Sequence, residues 1–144
     1  MRVGLCTTLK LPDGTPDQRR RSRKVLRTFI RFHINVGFCR IFAFLDDPLQ
    51  ATTLETRQVE SEFPVVTFLL NTKAQRDWQK LHCNDVYEAM NPYLEQEVTA
   101  RQTVNAAHAL SLAQEESLDW LMHLDIDEVR TTCSKQQHPL LSPL

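Results

Sequence analysis

The sequence predicts an α/β protein, built as a three-layer sandwich with helices on both faces of a mostly parallel sheet. Runs of β-favouring residues alternate along the chain with runs in which apolar residues recur every three or four positions. The run from Phe38 to Leu45 is apolar almost throughout, as expected of a parallel strand that is covered on both faces. Strands that alternate with helices in this way form a sheet with right-handed crossover connections.

The first strand and the first helix have clear boundaries. Val3 to Thr8 favours a short strand, which the turn-forming residues of 11–16 end. A helix is expected from about Asp17, with Gly37 standing where a helix C-cap belongs. Its apolar stripe consists of Val25, Leu26, Phe29, Ile30, His33 and Val36. The second strand is the apolar run already described, and Asp46-Asp47-Pro48 ends it.

The second half of the chain continues the alternation. A weaker helical pattern covers 51–62, and the β-branched run 65–70 predicts the third strand. Residues 71–92 are polar and irregular, so we expect a surface excursion with at most a helical turn or two. A helix is predicted over 98–116 and a fourth strand over 119–124. The apolar face of that helix is expected to carry Val104, Ala107, Leu110 or Ser111, and Leu112.

Length and composition indicate one soluble globular domain. The chain has 144 residues, of which 42% are apolar and 24% charged, and its net charge is -1. We expect residues 1–130 to form the domain and 131–144 an irregular tail. No apolar run approaches the roughly 20 residues of a membrane span, and the start lacks the pattern of a signal peptide. The four cysteines are far apart in sequence, which favours reduced structural thiols.

A basic segment from Arg19 to Arg31 is the strongest charge feature of the chain. Such a run can mark a nucleic-acid footprint. Here its densest part has no interleaved aromatic residues, and its second half carries the apolar stripe that the core needs. We therefore interpret it as a solvated helix face and expect no nucleic-acid partner.

Acidic residues follow two of the predicted strands, at the edge where open α/β sheets bind ligands. That binding point lies where the strand order reverses. With a strand order of 3-2-1-4, it falls between the first and the fourth strand. Thr7, Thr8 and Lys10 would then face Asp125 and Asp127, with Asp46 and Asp47 one strand away. The carboxylates would converge on one crevice.

Asp125 and Asp127 are candidate metal ligands. One residue separates them, so both can face one hard cation while Ile126 points into the core and Glu128 adds a hydrogen bond. Magnesium or manganese is the expected ion, because carboxylate oxygens suit both and the ion would keep open positions for phosphate oxygens. The alternative is that these acids are solvated loop residues.

Asp46 or Asp47 is a candidate ligand of the base or ribose of a nucleotide, a role that carboxylates at the second strand end have in dinucleotide-binding sheets. Asp-Asp-Pro is also ordinary turn chemistry, so we expect only one of the two to contact ligand. His33, His108 and His123 lie in apolar patterns, which favours core histidines over ligands.

The chain resembles glycosyltransferases of the family 92 and family 2-like type, which have the Rossmann-like GT-A fold. The resemblance extends over most of residues 2–129. It rests on Arg27 to His33 with Gly37-Phe38, on Phe44 to Pro48, on Ala100 to Ala106, and on Asp119 to Glu128.

This resemblance implies transfer of a sugar from a nucleotide-diphosphate donor to a glycan or glycoconjugate acceptor. It implies that Asp125 and Asp127 bind the metal and that Thr7, Thr8 and Arg101 lie near the nucleotide. Relatives of this kind work at membranes of the Golgi or elsewhere in the secretory pathway. They continue past the metal motif into an acceptor-binding half, so we expect this chain to bind nucleotide and metal weakly and to transfer sugar poorly or not at all.

Two other functions fit parts of the sequence. The motif from Asp125 to Val129 also matches the nucleophile motif of haloacid dehalogenase-type phosphohydrolases, in which Asp125 would be the nucleophile and Asp127 the general acid and base. Those enzymes have the motif on their first strand and need a lysine and further acids after it. In this chain the motif is followed by one lysine, Lys135, and by no acid beyond Glu128. The third hypothesis is a degenerate binding module that keeps the fold without the chemistry.

Overall fold

The computed structural model describes residues 1–10, 15–46 and 54–126, and these residues form four strands and five α-helices. Asp47 and Asp127 lie outside this part of the chain, as does the predicted tail 131–144. The elements are β1 (Val3–Leu9), α1 (Pro16–Asn35), β2 (Phe38–Leu45), α2 (Leu54–Glu62), β3 (Val66–Leu70), α3 (Lys73–His82), α4 (Asn84–Met90), a 3-10 turn (Asn91–Tyr93), α5 (Val98–Glu115) and β4 (Trp120–His123).

The four strands form one parallel sheet in the order β3-β2-β1-β4. The predicted α/β class is confirmed, and the strand order is the one for which the ligand-binding edge was placed between the first and the fourth strand. Leu9 pairs with Leu45, and Leu45 with Leu70, so the carboxyl ends of the first three strands lie side by side. On the other side of β1, Cys6 pairs with His123. The strand order reverses between β1 and β4, where an open sheet of this kind binds its ligands.

α1 begins and ends where its sequence predicts. The Thr15 hydroxyl accepts from the Gln18 amide at 3.3 Å and the Gln18 side chain accepts from the Thr15 amide at 2.8 Å, which is a capping box, with Pro16 in the first turn. At the other end Gly37 adopts φ +106°, a conformation that residues with a Cβ rarely adopt. Val36, which was expected in the apolar stripe, is 57% exposed. The buried stripe is Leu26, Phe29, Ile30 and His33.

The basic segment of α1 is a largely solvated helix surface, as predicted. Arg27 Nε donates to Glu62 Oε2 and Arg31 Nη2 donates to Glu62 Oε1, both at 2.7 Å, so the same carboxylate holds both cations. The arginines at 19–21 are exposed. Among the helices that the structure describes, none combines the length and the apolar character that crossing a membrane requires.

The sheet has a hydrophobic layer on each face. The layer between the sheet and helices α1 and α2 contains residues of β1, β2 and β3 and of both helices: Leu5, Leu9, Leu26, Phe29, Ile30, Ile41, Ala43, Leu45, Val59, Val66 and Phe68. The layer under α5 contains Cys6, Phe42, Phe44, Ala109 and Ala113. Burial of β2 on both faces confirms the parallel strand that its apolar run predicts.

Small residues let α5 and its exit loop lie close to the sheet. α5 turns Ala109 and Ala113 toward the strands, while Leu110, which was a candidate for the buried face, is 51% exposed. In β1, a Cβ at Gly4 would lie 2.6 Å from Cδ1 of Leu118. Gly4 thus leaves the space that the Leu118 side chain occupies, and that side chain would have to shift if a Cβ were added.

The prediction for residues 71–92 was wrong, because α3 and α4 occupy most of this segment. Thr72 caps α3 by accepting from the Gln75 amide at 3.2 Å. The buried residue of α3 is Gln79, and α4 buries Tyr87. A helix whose buried face is polar and aromatic lacks the apolar periodicity by which helices are recognised in a sequence.

β4 is an exposed strand at the end of the described sheet. Trp120 and Met122 are 67% and 47% exposed. His123, which we expected in the core, is also exposed, because β4 is at the edge of the described sheet and pairs with β1 alone. His33 and His108 are 2% and 5% exposed, which confirms both as core histidines.

Candidate functional site

Asp46 connects three elements at the carboxyl edge of the sheet. It follows the last residue of β2, and its amide donates to the Leu9 carbonyl of β1 at 2.9 Å. Its carbonyl accepts from Asn71 Nδ2, just beyond β3, at 2.7 Å. The backbone of Asp46 is thereby fixed between the ends of its two neighbouring strands.

The side chain of Asp46 pairs with Arg101 of α5. Arg101 Nε lies 2.6 Å from Oδ1 and Nη2 lies 2.9 Å from Oδ2, which is the bidentate geometry in which guanidinium and carboxylate bind most strongly. Arg101 Nη1 also donates to the Leu94 carbonyl at 2.8 Å. The two side chains are only 18% and 12% exposed. Two residues that were predicted to contact a nucleotide thus contact each other.

A polar cleft of about 320 Å³ opens beside this pair. Arg76 Nε donates to Asn71 Oδ1 at 3.0 Å, and Arg76 Nη1 donates to Glu95 Oε1 at 3.0 Å. Lys10 lies on the wall formed by the end of β1 and makes no ion pair with any described residue. The described residues that line it are Lys10, Asp46, Asn71, Arg76, Leu94, Glu95 and Arg101.

A chain of buried polar groups continues from the cleft under α5. Asn105 Nδ2 donates to Thr8 Oγ1 at 3.1 Å, and Gln79 Nε2 donates to Asn105 Oδ1 at 3.1 Å. Gln79 Nε2 also lies 3.4 Å from His108 Nδ1. These four side chains are buried, so the chain fixes β1, α3 and α5 relative to one another.

His108 ends this chain in a largely apolar environment. Its ring stacks on Trp78 with the ring centroids 4.0 Å apart and meets Phe44 edge-on at 5.4 Å. Burial lowers the pKa of His108 to about 4, with a smaller contribution from the nearby His82. His108 is therefore neutral at pH 7, as the hydrogen-bond chain requires if Nδ1 is to accept from Gln79.

Asp125 lies two residues beyond β4. Its Oδ1 accepts from Gln102 Nε2 at 3.1 Å, and the residue is exposed. Ile126 packs against the hydrophobic layer under α1 and α2, as predicted. Consecutive residues of α5 therefore hold the two acidic strand ends, since Arg101 pairs with Asp46 and Gln102 with Asp125.

The predicted site residues are brought together only in part. Thr8 and Asp46 both contact α5, whereas Thr7 is fully buried with no hydrogen-bond partner for Oγ1 among the described residues. Asp47 and Asp127 fall outside the described ranges, so the predicted metal pair is represented by Asp125 alone. Within 1–10, 15–46 and 54–126, no three His, Cys, Asp or Glu side chains are grouped as a metal would require.

The donor chemistry of Asp125 nevertheless fits a hard cation. Its carboxylate is exposed, and carboxylate oxygens are ligands that magnesium and manganese prefer. Gln102 donates a hydrogen bond to the carboxylate, as residues that orient metal ligands commonly do. One described carboxylate does not complete a site, so the proposed metal also requires Asp127.

Sequence reasoning missed Asn71, Arg76, Gln79, Gln102 and Asn105. Gln102 and Asn105 fall within the stretch from Ala100 to Ala106 that carries part of the resemblance, so a signal was present for them. Asn71, Arg76 and Gln79 lie in the segment that was interpreted as irregular, where no helical spacing singled them out.

Neither a scan against protein-family models nor searches of curated proteins and of solved structures found a match to this chain.

Proposed function

We propose that this domain binds a nucleotide-diphosphate sugar, with magnesium or manganese at Asp125 and Asp127, and acts as a GT-A-like glycosyltransferase domain toward a glycan or glycoconjugate acceptor. The observation that carries the proposal is the strand order β3-β2-β1-β4. In this order the strand sequence reverses between β1 and β4. Asp125 follows β4 at the carboxyl edge of the sheet, where such sheets bind nucleotides.

α5 gives the proposal a second support. Arg101 and Gln102 are consecutive residues of α5 and hydrogen-bond to Asp46 and Asp125, so one helix contacts both acidic strand ends. A site that holds its ligating groups before ligand arrives loses less conformational entropy on binding. This arrangement suits a ligand that extends along the sheet edge, with its nucleoside near Asp46 and its diphosphate near Asp125.

Each group has a distinct task in the proposed site. A divalent cation, when bound, would neutralise the charge that develops on the diphosphate leaving group. Asp125 contributes carboxylate oxygen to that ion, and Gln102 fixes the orientation of the carboxylate. Thr8, held by Asn105, sets the position of the β1 end that borders the nucleotide.

Calorimetric titration with UDP tests the proposal. The wild-type chain is titrated with and without manganese, alongside the Asp125→Ala, Asp127→Ala double variant. The matched control is Asp119→Asn. Asp119 directly precedes β4, at the end of the strand away from Asp125, and its carboxylate accepts from the Arg2 amide. We expect manganese to strengthen UDP binding beyond the binding seen in chelator. This manganese-dependent gain should be lost in the double variant and should persist in the control.

Two results would contradict the proposal. UDP binding that is equal with manganese and with chelator would remove the metal from the function. No binding by a chain whose circular dichroism and cooperative unfolding are those of a folded protein would leave a non-catalytic α/β module. A phosphate trapped covalently on Asp125 would instead favour the phosphohydrolase hypothesis.

A further inference from the structure

We infer that the cleft between the β2 and β3 ends and helices α3 and α5 is an oxyanion site, in which Arg76 and Lys10 bind a phosphate group without a metal ion. The cleft is a separate feature from the proposed metal site, because neither Asp125 nor Gln102 lines it. The inference therefore does not depend on whether the domain binds a cation.

The charge balance of the cleft favours an anion. Among the described residues, its lining contains three cations, Lys10, Arg76 and Arg101, and two carboxylates, Asp46 and Glu95. Asp46 is neutralised, because both of its oxygens face the Arg101 guanidinium in a pair that is mostly buried. Lys10 has no carboxylate partner in the described part of the chain. The described lining thus has excess positive charge.

Arg76 is held in an orientation suited to binding an oxyanion. Its Nε donates to Asn71 Oδ1, and Asn71 in turn donates to the fixed carbonyl of Asp46. This leaves the Nη1 and Nη2 edge of the guanidinium for a ligand, the edge that binds phosphate in a bidentate manner. Nη2 has no hydrogen-bond partner among the residues that the structure describes.

Glu95 occupies the position that the ligand would take. Its Oε1 accepts from Arg76 Nη1 at 3.0 Å, yet its side chain is 81% exposed, whereas that of Arg76 is 32% exposed. An ion pair with one partner so exposed contributes little to stability, so an incoming phosphate oxygen can replace the carboxylate at small cost. Movement of Glu95 into solvent would leave Arg76 and Lys10 both facing the ligand.

The dimensions of the cleft agree with a small ligand group. Its volume of about 320 Å³ is at the lower end of the range for ligand pockets, roughly 300–1,000 Å³. Deeper in, a small cavity of about 20 Å³ shares Asp46, Asn71, Arg76 and Arg101 with the cleft and adds Gln79, Val104 and Asn105. The open part can accept a phosphate, and the polar groups behind it limit how deeply a larger ligand enters.

The inference is tested by titrations in EDTA at constant ionic strength, with inorganic phosphate, UDP and uridine as probes. We expect Arg76→Gln to weaken phosphate binding at least about tenfold, because it removes charge-assisted hydrogen bonds. Lys10→Gln should weaken it less, since a flexible ammonium makes fewer fixed bonds. The matched control is Lys80→Gln, which removes one exposed lysine charge outside the cleft.

Glu95→Gln provides the decisive variant. Because Glu95 is exposed, the substitution should leave the fold intact, and it removes the charged competitor for Arg76. Phosphate should then bind several-fold more tightly than to the wild-type chain. Equal loss of affinity in Arg76→Gln and Lys80→Gln, or unchanged affinity in Glu95→Gln, would overturn the inference.

The three probes separate the possible sources of the phosphate group. Binding of both inorganic phosphate and UDP indicates that the free ion suffices, whereas binding of UDP alone indicates a phosphate ester on a larger ligand. Either result supports the site. Uridine binding as tightly as UDP, or no binding of any probe by the folded chain, would contradict it. The Asp125→Ala, Asp127→Ala variant should behave as wild type in EDTA, which separates this result from the test of the proposed function.

Discussion

Thr7 and Thr8 are adjacent in β1, and their hydroxyl groups have opposite environments. Thr8 Oγ1 accepts from Asn105 Nδ2 at 3.1 Å, on the face of the sheet that α5 covers. Thr7 lies on the other face, is fully buried, and its Oγ1 has no hydrogen-bond partner in the described part of the chain. A buried hydroxyl without a partner costs free energy, whereas a bonded one contributes to stability.

Thr7→Val and Thr8→Val should therefore change stability in opposite directions. Thr7→Val removes an unsatisfied hydroxyl at nearly constant volume, and we expect it to raise the free energy of unfolding by up to about 1 kcal/mol. Thr8→Val leaves Asn105 Nδ2 without its acceptor and should lower it by about 1–2 kcal/mol. Urea unfolding of both variants measures the difference, and equal destabilisation by the two would contradict the assignment of their environments.

The Arg101–Asp46 pair should be one of the most costly polar contacts to break. Arg101→Met leaves a largely buried carboxylate without its bidentate partner, and we expect a loss of about 2–4 kcal/mol. The control is Lys73→Met, which breaks an ion pair that is 90% and 62% exposed and should cost under about 0.5 kcal/mol. Chemical unfolding of both variants measures these losses; a small loss in Arg101→Met would mean that water replaces the guanidinium.

Gln102 should orient Asp125 for the proposed metal without contributing much to stability. In Gln102→Ala the Asp125 carboxylate loses the hydrogen bond to its Oδ1, and manganese-dependent UDP binding should weaken roughly threefold to tenfold. The same variant should unfold within about 0.5 kcal/mol of wild type, because the contact is exposed. The control is Thr103→Ala, because Thr103 follows Gln102 in α5 and is exposed. Unchanged nucleotide binding in Gln102→Ala would mean that Asp125 needs no orienting partner.

The elements that could be predicted from the sequence are those in which apolar periodicity and burial coincide. β2 is apolar almost throughout and is buried on both faces. The buried residues of α1 all belong to the predicted stripe, of which Val25 and Val36 are not buried. α3 and α4 were not predicted, because α3 buries the amide of Gln79 and stacks Trp78 on His108. Such contacts leave no apolar repeat in the sequence.

The sequence was sufficient to predict which acidic residues lie at the strand ends, but not which side chains they pair with. Acidic residues that directly follow a strand of a parallel sheet must lie at its carboxyl edge, and Asp46 and Asp125 do. That Asp46 pairs with Arg101 depends on where α5 crosses the sheet, which the small side chains of Ala109 and Ala113 determine. Contacts between residues so far apart in sequence follow from packing and not from local pattern.

The buried His108 should make the protein less stable as the pH falls below neutral. Burial lowers the pKa of His108 to about 4 from the ordinary 6.5, so the unfolded chain binds a proton between these values while the folded chain does not. The stabilising contribution is complete above about pH 6.5 and is lost as the pH falls toward 4, up to roughly 3 kcal/mol in total. Burial also lowers the pKa of His33, so His33 likewise makes the free energy of unfolding decrease as the pH falls.

Replacing His108 with glutamine should therefore flatten the dependence of stability on pH without abolishing it. Glutamine keeps an amide that can pair with Gln79 but has no ionisable group, so His33 alone of these two buried histidines remains to respond to acid. His123→Gln is the matched control, since His123 is exposed and should leave the slope unchanged. Urea unfolding at intervals from pH 7.5 to about 4.5 gives the free energy of unfolding of all three chains. Parallel curves for wild type and His108→Gln would show that the buried ring is protonated in the folded protein as readily as in the unfolded chain.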